Sequence, residues 1–424
     1  MCQFTRIRFF FSVRKMTTLS LYTLPVELIH YLFEYVDFGT IFFSFRYVCK
    51  RFYAIVDKYN RYELDLRSIS KRDFDMFCSK VDVRKIRSLV LSDDLNTPHE
   101  IRLFLSRFSL DQYERMENLK LVKVQENQLF PILMHISSSS IRRLSMEICS
   151  WKTFSYTIRV LLASVIARSK LETLELNLSF KNLEATGWFP LPISLKSLRL
   201  ERCTFQEYCL ILHQCSNLKH FILRECILYK TDGSLYQPIE KYLSLSLTSF
   251  YFGPCFMRMK ELLHFLCFTP RLKQLKLIVW TDSTDSVIDG RRWEDFINKT
   301  LVDLRDFQFF FDDLTCVDGD SFDIQSYIRS FRTSFWLEKN HWYIVCDYIQ
   351  TLSIVRLYSL PICNSSLTFY TSAERISAST LPDCRSISSF WTDQVREINV
   401  SLIENSEKSF GSSVSFNMKE SRTK

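Results

Sequence analysis

The sequence predicts an α/β chain: a small all-α segment near the N-terminus, then a solenoid of short parallel strands and returning helices. Three observations predict it. Apolar residues recur with helical spacing through residues 24–56. The pattern apolar-x-x-apolar-x-apolar then recurs nine times, starting at 86, 116, 141, 171, 195, 218, 247, 272 and 304. A period of that length marks stacked units, none of which could bury its apolar face alone. Glycine is scarce, 7 in 424 residues, which argues against a turn-rich β-sandwich and against phosphate-cradling loops.

At the N-terminus, Arg6, Arg8, Arg14 and Lys15 flank an apolar run over 9–13 that is too short for a signal peptide. Residues 1–19 read as a disordered leader or as the stretch before a start at Met16, with a mitochondrial address as the alternative. Leu24, Leu28, Ile29, Leu32, Phe33 and Val36 keep the spacing of one helical stripe, with Glu27, His30, Tyr31 and Glu34 on the polar side. Pro25 suits the first helical position, where a missing N–H costs nothing. Gly39 is placed to end the helix. A second run, Phe42, Phe45, Val48, Cys49, Phe52 and Val56, keeps the same spacing, with Thr40 as its N-cap. Helices this short cannot bury so many apolar side chains against one another, so part of their surface is expected to meet another protein.

Leu24-Pro25-x-Glu27-Leu28-Ile29, Leu32-Phe33-x-Tyr35 and Val48-Cys49-Lys50-Arg51-Phe52, in this order, resemble an F-box, assigned to residues 20–60. Thr40 stands where that family often has an acidic residue. Phe42, Phe43 and Phe45 stand where leucines are commoner; both departures bear on affinity. The resemblance implies a docking module for a Skp-type adaptor built from Leu24, Pro25, Leu28, Ile29, Leu32, Val48, Cys49 and Phe52, some buried within it and others at the contact.

Residues 62–66 read as a short strand, followed by a helix through Phe74 and Phe77. Within each later unit the hexad supplies a strand, and the stretches 99–108, 156–169, 205–215 and 258–268 carry helical apolar spacing. This series resembles irregular leucine-rich repeats, assigned to residues 61–311. In that family the ninth position is a small buried polar residue. Here it holds Cys149, Cys203, Cys226 and Cys255 in four units and Ser179 in another, but Asp94, Val124, Trp280 and Asp312 elsewhere. Beyond Phe311 the pattern weakens. Acidic residues from Asp312 to Asp320 read as a loop. The stretches 330–337 and 341–348 read as strands, and Ile349-Leu352-Ile354 and Val395-Ile398-Val400 as divergent repeats or a terminal cap over 312–403. Residues 404–424, polar and serine-rich, are expected to be disordered.

The chemistry-bearing residues argue against catalysis. Seven histidines form no H-E-x-x-H, there is no G-x-S-x-G, and Asp93-Asp94 and Asp312-Asp313 sit in turn-like contexts. No C-x-x-C occurs among 14 cysteines, which favours reduced, buried thiols in a cytoplasmic or nuclear protein. A metal site from Cys203, Cys209, Cys215 and Cys226 lacks the paired chelating turns of structural zinc, so no metal and no cofactor is expected. No run of eighteen apolar residues is present, so no membrane span is expected. The net charge of +8 is spread along the chain and does not indicate nucleic acid, whose binding would fall steeply with salt.

An F-box followed by leucine-rich repeats resembles the substrate receptors of SCF ubiquitin ligases. The resemblance implies a non-catalytic subunit that joins a Skp-type adaptor and cullin scaffold to an unidentified protein substrate. Alternating strand positions would face the concave surface: Lys120, Arg143, Ser145, Glu147, Glu175, Arg199, Glu201, His220, Arg224, Tyr251, Gln274 and Lys276. From these, Lys120, Arg143, Arg199, Arg224, Tyr251 and Lys276 are assigned to the partner. The set leans basic, which favours an acidic or phosphorylated segment. The alternative is a repeat scaffold outside the ubiquitin system, in which the helices of 24–52 cap the first repeat and expose little.

Overall fold

The structure, a computed structural model, describes residues 21–67, 69–94, 98–136, 140–148, 156–177, 191–227, 243–281, 285–314, 323–363, 366–370, 375–381, 397–401 and 413–417. The leader, Cys149, Ser179 and most of the polar tail therefore lie outside the described residues.

Three helical pieces open the chain. α1 (Val26–Phe33) starts one residue after Pro25, which takes the N-cap position in an extended conformation. Gly39 does not end it. The helix closes at Glu34, and Gly39 (φ −59°) lies inside the next helical run. That run is capped by Asp37, whose carboxylate accepts from the Thr40 N–H (2.8 Å) and Thr40 Oγ1 (2.7 Å). Thr40 is thus the capped residue, not the cap. Residues Thr40–Phe45 are wound as a π-helix that continues into α2 (Arg46–Val48), and α3 (Lys50–Lys58) follows.

The phenylalanines fasten this module to the rest. Phe38 meets Tyr62 and Phe77 edge-on at ring separations of 5.4 and 5.9 Å, and Phe33 meets Phe45 and Tyr59 at 5.5 and 5.3 Å. Such edge-to-face pairs contribute beyond their buried area. Tyr62 opens β1 (Tyr62–Asp65) and Phe77 lies on α4 (Lys71–Lys80), so one continuous core runs from the N-terminal helices into the sheet.

Each of the nine hexads carries one strand: β2 (Ile86–Ser92), β3 (Asn118–Val124), β4 (Arg143–Ile148), β5 (Thr173–Asn177), β6 (Ser197–Thr204), β7 (His220–Ile227), β8 (Ser249–Phe256), β9 (Gln274–Thr281) and β10 (Asp306–Asp313). With β1 they pair parallel and strictly in sequence order within a 13-stranded sheet. Helices return the chain: α5 (Glu100–Arg107), α6 (Glu126–Ile136), α7 (Tyr156–Arg168), α8 (Phe205–Gln214), α9 (Met259–Leu266) and α10 (Gly290–Thr300). Four of them occupy the stretches picked out by apolar spacing. α8 shows why they begin where they do: Thr204 Oγ1 accepts from the Glu207 N–H (3.2 Å), and the Glu207 carboxylate accepts from the Thr204 N–H (2.7 Å). The arrangement is consistent with a solenoid, with strand leucines and helix apolar faces in one core. Cys203, Cys226 and Cys255 are buried at the ends of three successive strands, Cys203 and Cys226 in register.

The C-terminal part corrects the sequence expectation. After α11 (Ile324–Arg329), the stretch 330–337 holds a helical turn rather than a strand. β11 (Tyr343–Ile349) and β12 (Ile354–Leu360) form an antiparallel hairpin, and β12 pairs antiparallel with β10. Ile349-Leu352-Ile354 is therefore the hairpin's turn, not a repeat, with Ser353 in the left-handed region (φ 51°). β14 (Arg375–Ser379) closes the sheet at the far side of β11. Of Val395-Ile398-Val400, Ile398 and Val400 fall in a separate sheet, where β15 (Glu397–Ser401) pairs with β13 (Ser366–Tyr370) and β16 (Ser413–Asn417), and Val395 lies outside the described residues. β16 lies within 404–424, so the expected disorder does not hold for those five residues.

Candidate functional site

Two surfaces qualify. The first is built on α1, which carries two stripes. Ile29 and Phe33, at i and i+4, are buried in the core, where Phe33 packs on Phe45 and Tyr59. Leu28, Tyr31, Leu32 and Tyr35, at i, i+3, i+4 and i+7, form the other, with Leu28, Tyr31 and Tyr35 exposed and Leu32 partly covered. The Tyr31 and Tyr35 hydroxyls lie 2.9 Å apart. Mutual contact with Tyr31 holds the Tyr35 phenol above its usual range.

Arg51 ties the chain ahead of α1 to this surface: its Nη2 donates to the Leu24 carbonyl (2.6 Å), and its guanidinium lies over the Tyr22 ring. On the other side of the module Arg46 sits between the Phe42 and Tyr53 rings, 4.7 and 4.8 Å from their centroids. Tyr47 and Val48 project beside it. Of the residues assigned to the adaptor, Pro25, Leu28 (50% exposed) and Val48 (65%) face solvent, and Leu24, Leu32 and Cys49 are partly covered. Ile29 (2%) and Phe52 (5%) belong to the core that shapes the surface, not to the surface itself.

The adaptor set expected from sequence includes none of the exposed tyrosines 22, 31, 35, 47 and 53, although Tyr35 stands in the F-box-like motif. A single stripe through Leu28, Ile29, Leu32 and Phe33 leaves Tyr31 on the polar side. The signal that could have found it is its offset of three from Leu28.

The second surface is the sheet face away from the helices. Lys120, Ser145, Glu175, Arg199, Ile222, Tyr251 and Lys276 are register partners in successive strands β3 to β9 and make one continuous row. Arg143 and His220 lie in the row on one side. A recess of about 140 Å³ opens over β3 to β6, lined by Lys120, Ser145, Glu147, Glu175, Asn177, Arg199 and Glu201 among others. Three carboxylates face two cations there. Glu175 accepts from Ser145 Oγ (3.1 Å), and Glu201 lies 3.6 Å from Arg224.

Toward the C-terminal strands this face is covered by the chain itself. Ile278, Phe310, Val345, Tyr358, Leu360, Ile362 and Cys363 form a second apolar cluster, against which Tyr251 packs. Burial there pushes the Tyr251 phenol up, and the nearby Cys363 adds to it. Cys363 Sγ donates to the Leu277 carbonyl beside Lys276 (3.6 Å). The six residues assigned to a partner are therefore not equivalent: Lys120, Arg143, Arg199 and Arg224 lie on the open part, while Tyr251 and Lys276 border the covered part.

A family model for the F-box domain matches residues 21–64. No curated protein matches the chain.

Proposed function

We propose that this chain is the substrate-recognition subunit of an SCF-type ubiquitin ligase. F-box domains bind Skp-type adaptors, and in this reading residues 21–64 dock one, which in turn joins the chain to a cullin scaffold. The following units, read as irregular leucine-rich repeats, hold a protein target. The observation that carries the reading is the split of the N-terminal module into a phenylalanine core shared with the sheet and a surface exposing Leu21, Tyr22, Val26, Leu28, Tyr31, Tyr35, Tyr47, Val48 and Tyr53. That much exposed aromatic and aliphatic surface in so short a stretch is the signature of an interface, and tyrosine is prominent among residues that dominate binding energy. A helical cap on the first repeat would share the core but would not expose this set.

The chain supplies position rather than chemistry. A target held on the open sheet face over β3 to β7 is kept at high effective concentration near a ubiquitin-conjugating enzyme. The shared aromatic core makes that geometry stiff. The cysteines among the described residues are free thiols, in keeping with a cytoplasmic or nuclear setting. Among the described residues no helix is long and apolar enough to cross a membrane.

The test is co-elution. Full-length chain mixed with a purified Skp-type adaptor should run as one complex on size exclusion and recruit cullin. Separate elution at micromolar concentration rejects the reading.

A further inference from the structure

Just ahead of the strands, successive units are joined by a second ladder of backbone bonds. The Glu117 N–H donates to the Arg87 carbonyl, Arg142 to Glu117, Glu172 to Arg142, Lys196 to Glu172, Lys219 to Lys196, Thr248 to Lys219, Lys273 to Thr248 and Arg305 to Lys273, all at 2.8–3.0 Å. These nine residues therefore stand in one row along the rim where the strands begin. In its first half the charges alternate and cancel: Arg87 meets Glu117 at 3.0 Å, and Glu172 meets both Arg142 (3.5 Å) and Lys196 (3.0 Å).

In its second half the carboxylates stop. Lys219, Lys273 and Arg305 are exposed, and among the described residues none of the three side chains has an ion pair or hydrogen bond. The rim is not short of acid generally, for two residues earlier Arg271 is matched to Asp303 at 3.1 Å. Three residues ahead of the row, at Ile193, Leu245 and Val302, each of these side chains is 68% exposed. Cations without partners thus run beside apolar side chains without cover.

We propose that the rim ahead of β7 to β10 binds an acidic polypeptide segment of a protein partner. Its carboxylates meet Lys219, Lys273 and Arg305, and its apolar side chains rest on Leu245 and Val302. Charge complementarity selects the occupant. Three strand spacings, about 14 Å, separate Lys219 from Arg305, a span that about five extended residues cover. A nucleic acid is a poorer fit: three cations fall well short of the roughly six to ten phosphate contacts that typify such complexes, and the apolar side chains offer a phosphate backbone nothing. The proposal names the target class for the receptor reading and rests on that reading.

The experiment uses full-length chain and a fluorescent peptide of alternating glutamate and leucine, followed by anisotropy, with labelled oligothymidylate as comparator. The variant K219Q/K273Q/R305Q, in the rim's second half, is set against R87Q/R115Q/R142Q, which removes the same charge from the rim's first half and from the exposed Arg115 beside it in sequence. Adaptor capture is measured on the same preparations. Peptide affinity should fall about tenfold in the rim variant and less than about twofold in the other, with oligothymidylate bound more weakly than the peptide. Equal losses in both variants, no peptide binding by wild type, or tighter binding of oligothymidylate at the rim overturn the proposal. Loss of adaptor capture with peptide binding intact overturns the receptor reading and leaves the rim standing.

Discussion

Leu28→Asp separates docking from folding. Leu28 leaves half of its surface in solvent, while the neighbouring Ile29 and Phe33 are almost wholly buried and carry the attachment of α1 to the core. Full burial of a leucine contributes ~1.5–3 kcal/mol, so the exposed half accounts for about 1–1.5 kcal/mol on contact with a partner. An unpaired neutral polar group in the same apolar contact costs a further ~1–3 kcal/mol, and a carboxylate at least as much. The sum, about 2–4.5 kcal/mol, should weaken adaptor binding by roughly 30- to 2,000-fold. Stability should move by no more than about 0.5 kcal/mol, as for other surface substitutions. Isothermal titration against a purified Skp-type adaptor reads the first quantity, and a urea melt of the same sample reads the second. Ile29→Ala is the counterpart, with a stability cost of ~2–5 kcal/mol from a core cavity. If Leu28→Asp binds within about threefold of wild type, or if its urea midpoint falls as far as that of Ile29→Ala, the two-stripe account of α1 is wrong.

The remaining predictions concern the fold that carries the docking surfaces. Arg356 donates twice to Asp312, at 2.8 and 2.9 Å, in a buried pair joining β12 to β10. Asp312→Ala removes the carboxylate that takes both bonds and should cost ~3–5 kcal/mol by urea unfolding, whereas Asp312→Leu with Arg356→Met should cost less; the reverse order would show that the pair is not what holds the hairpin. At Gly290 an added Cβ would lie 2.5 Å from the Ser330 carbonyl oxygen, so Gly290→Ala must displace backbone and should destabilise by about 1–3 kcal/mol, visible as a lowered melting temperature. Burial pushes the thiols of Cys209, Cys215, Cys346 and Cys363 from an ordinary value near 9 up to about 12. The folded chain therefore holds these protons more tightly than the unfolded one. Their contribution to stability is complete below pH ~9 and is lost as pH rises from there toward 12, so the urea midpoint should fall between pH 8 and pH 10.5. A midpoint that does not fall would mean that these thiols are not sheltered.

Much of this protein is determined by local pattern. The hexads place all nine strands β2 to β10, because an apolar-x-x-apolar-x-apolar run has only one way to bury its apolar positions when its neighbours repeat it. Helical spacing likewise locates α5, α7, α8 and α9, and the F-box resemblance falls where the family match does. What sequence leaves open is set by partners remote along the chain. The apolar pattern of 349–354 reads equally as a repeat or a hairpin, and the choice falls to Ser353 in a left-handed turn and to the edge of β10 waiting for β12. Helical periodicity makes Leu28 and Ile29 neighbours on one broad apolar arc; only the packing of α1 on other elements, with Phe33 against Phe45 and Tyr59, decides that the Ile29–Phe33 stripe goes inward and Leu28 stays out. Charge is decided in the same way. Residue counts make the chain basic, but whether a given lysine is neutralised depends on which unit stacks beside it, and stacking pairs Lys196 with Glu172 while leaving Lys219, Lys273 and Arg305 open to a partner.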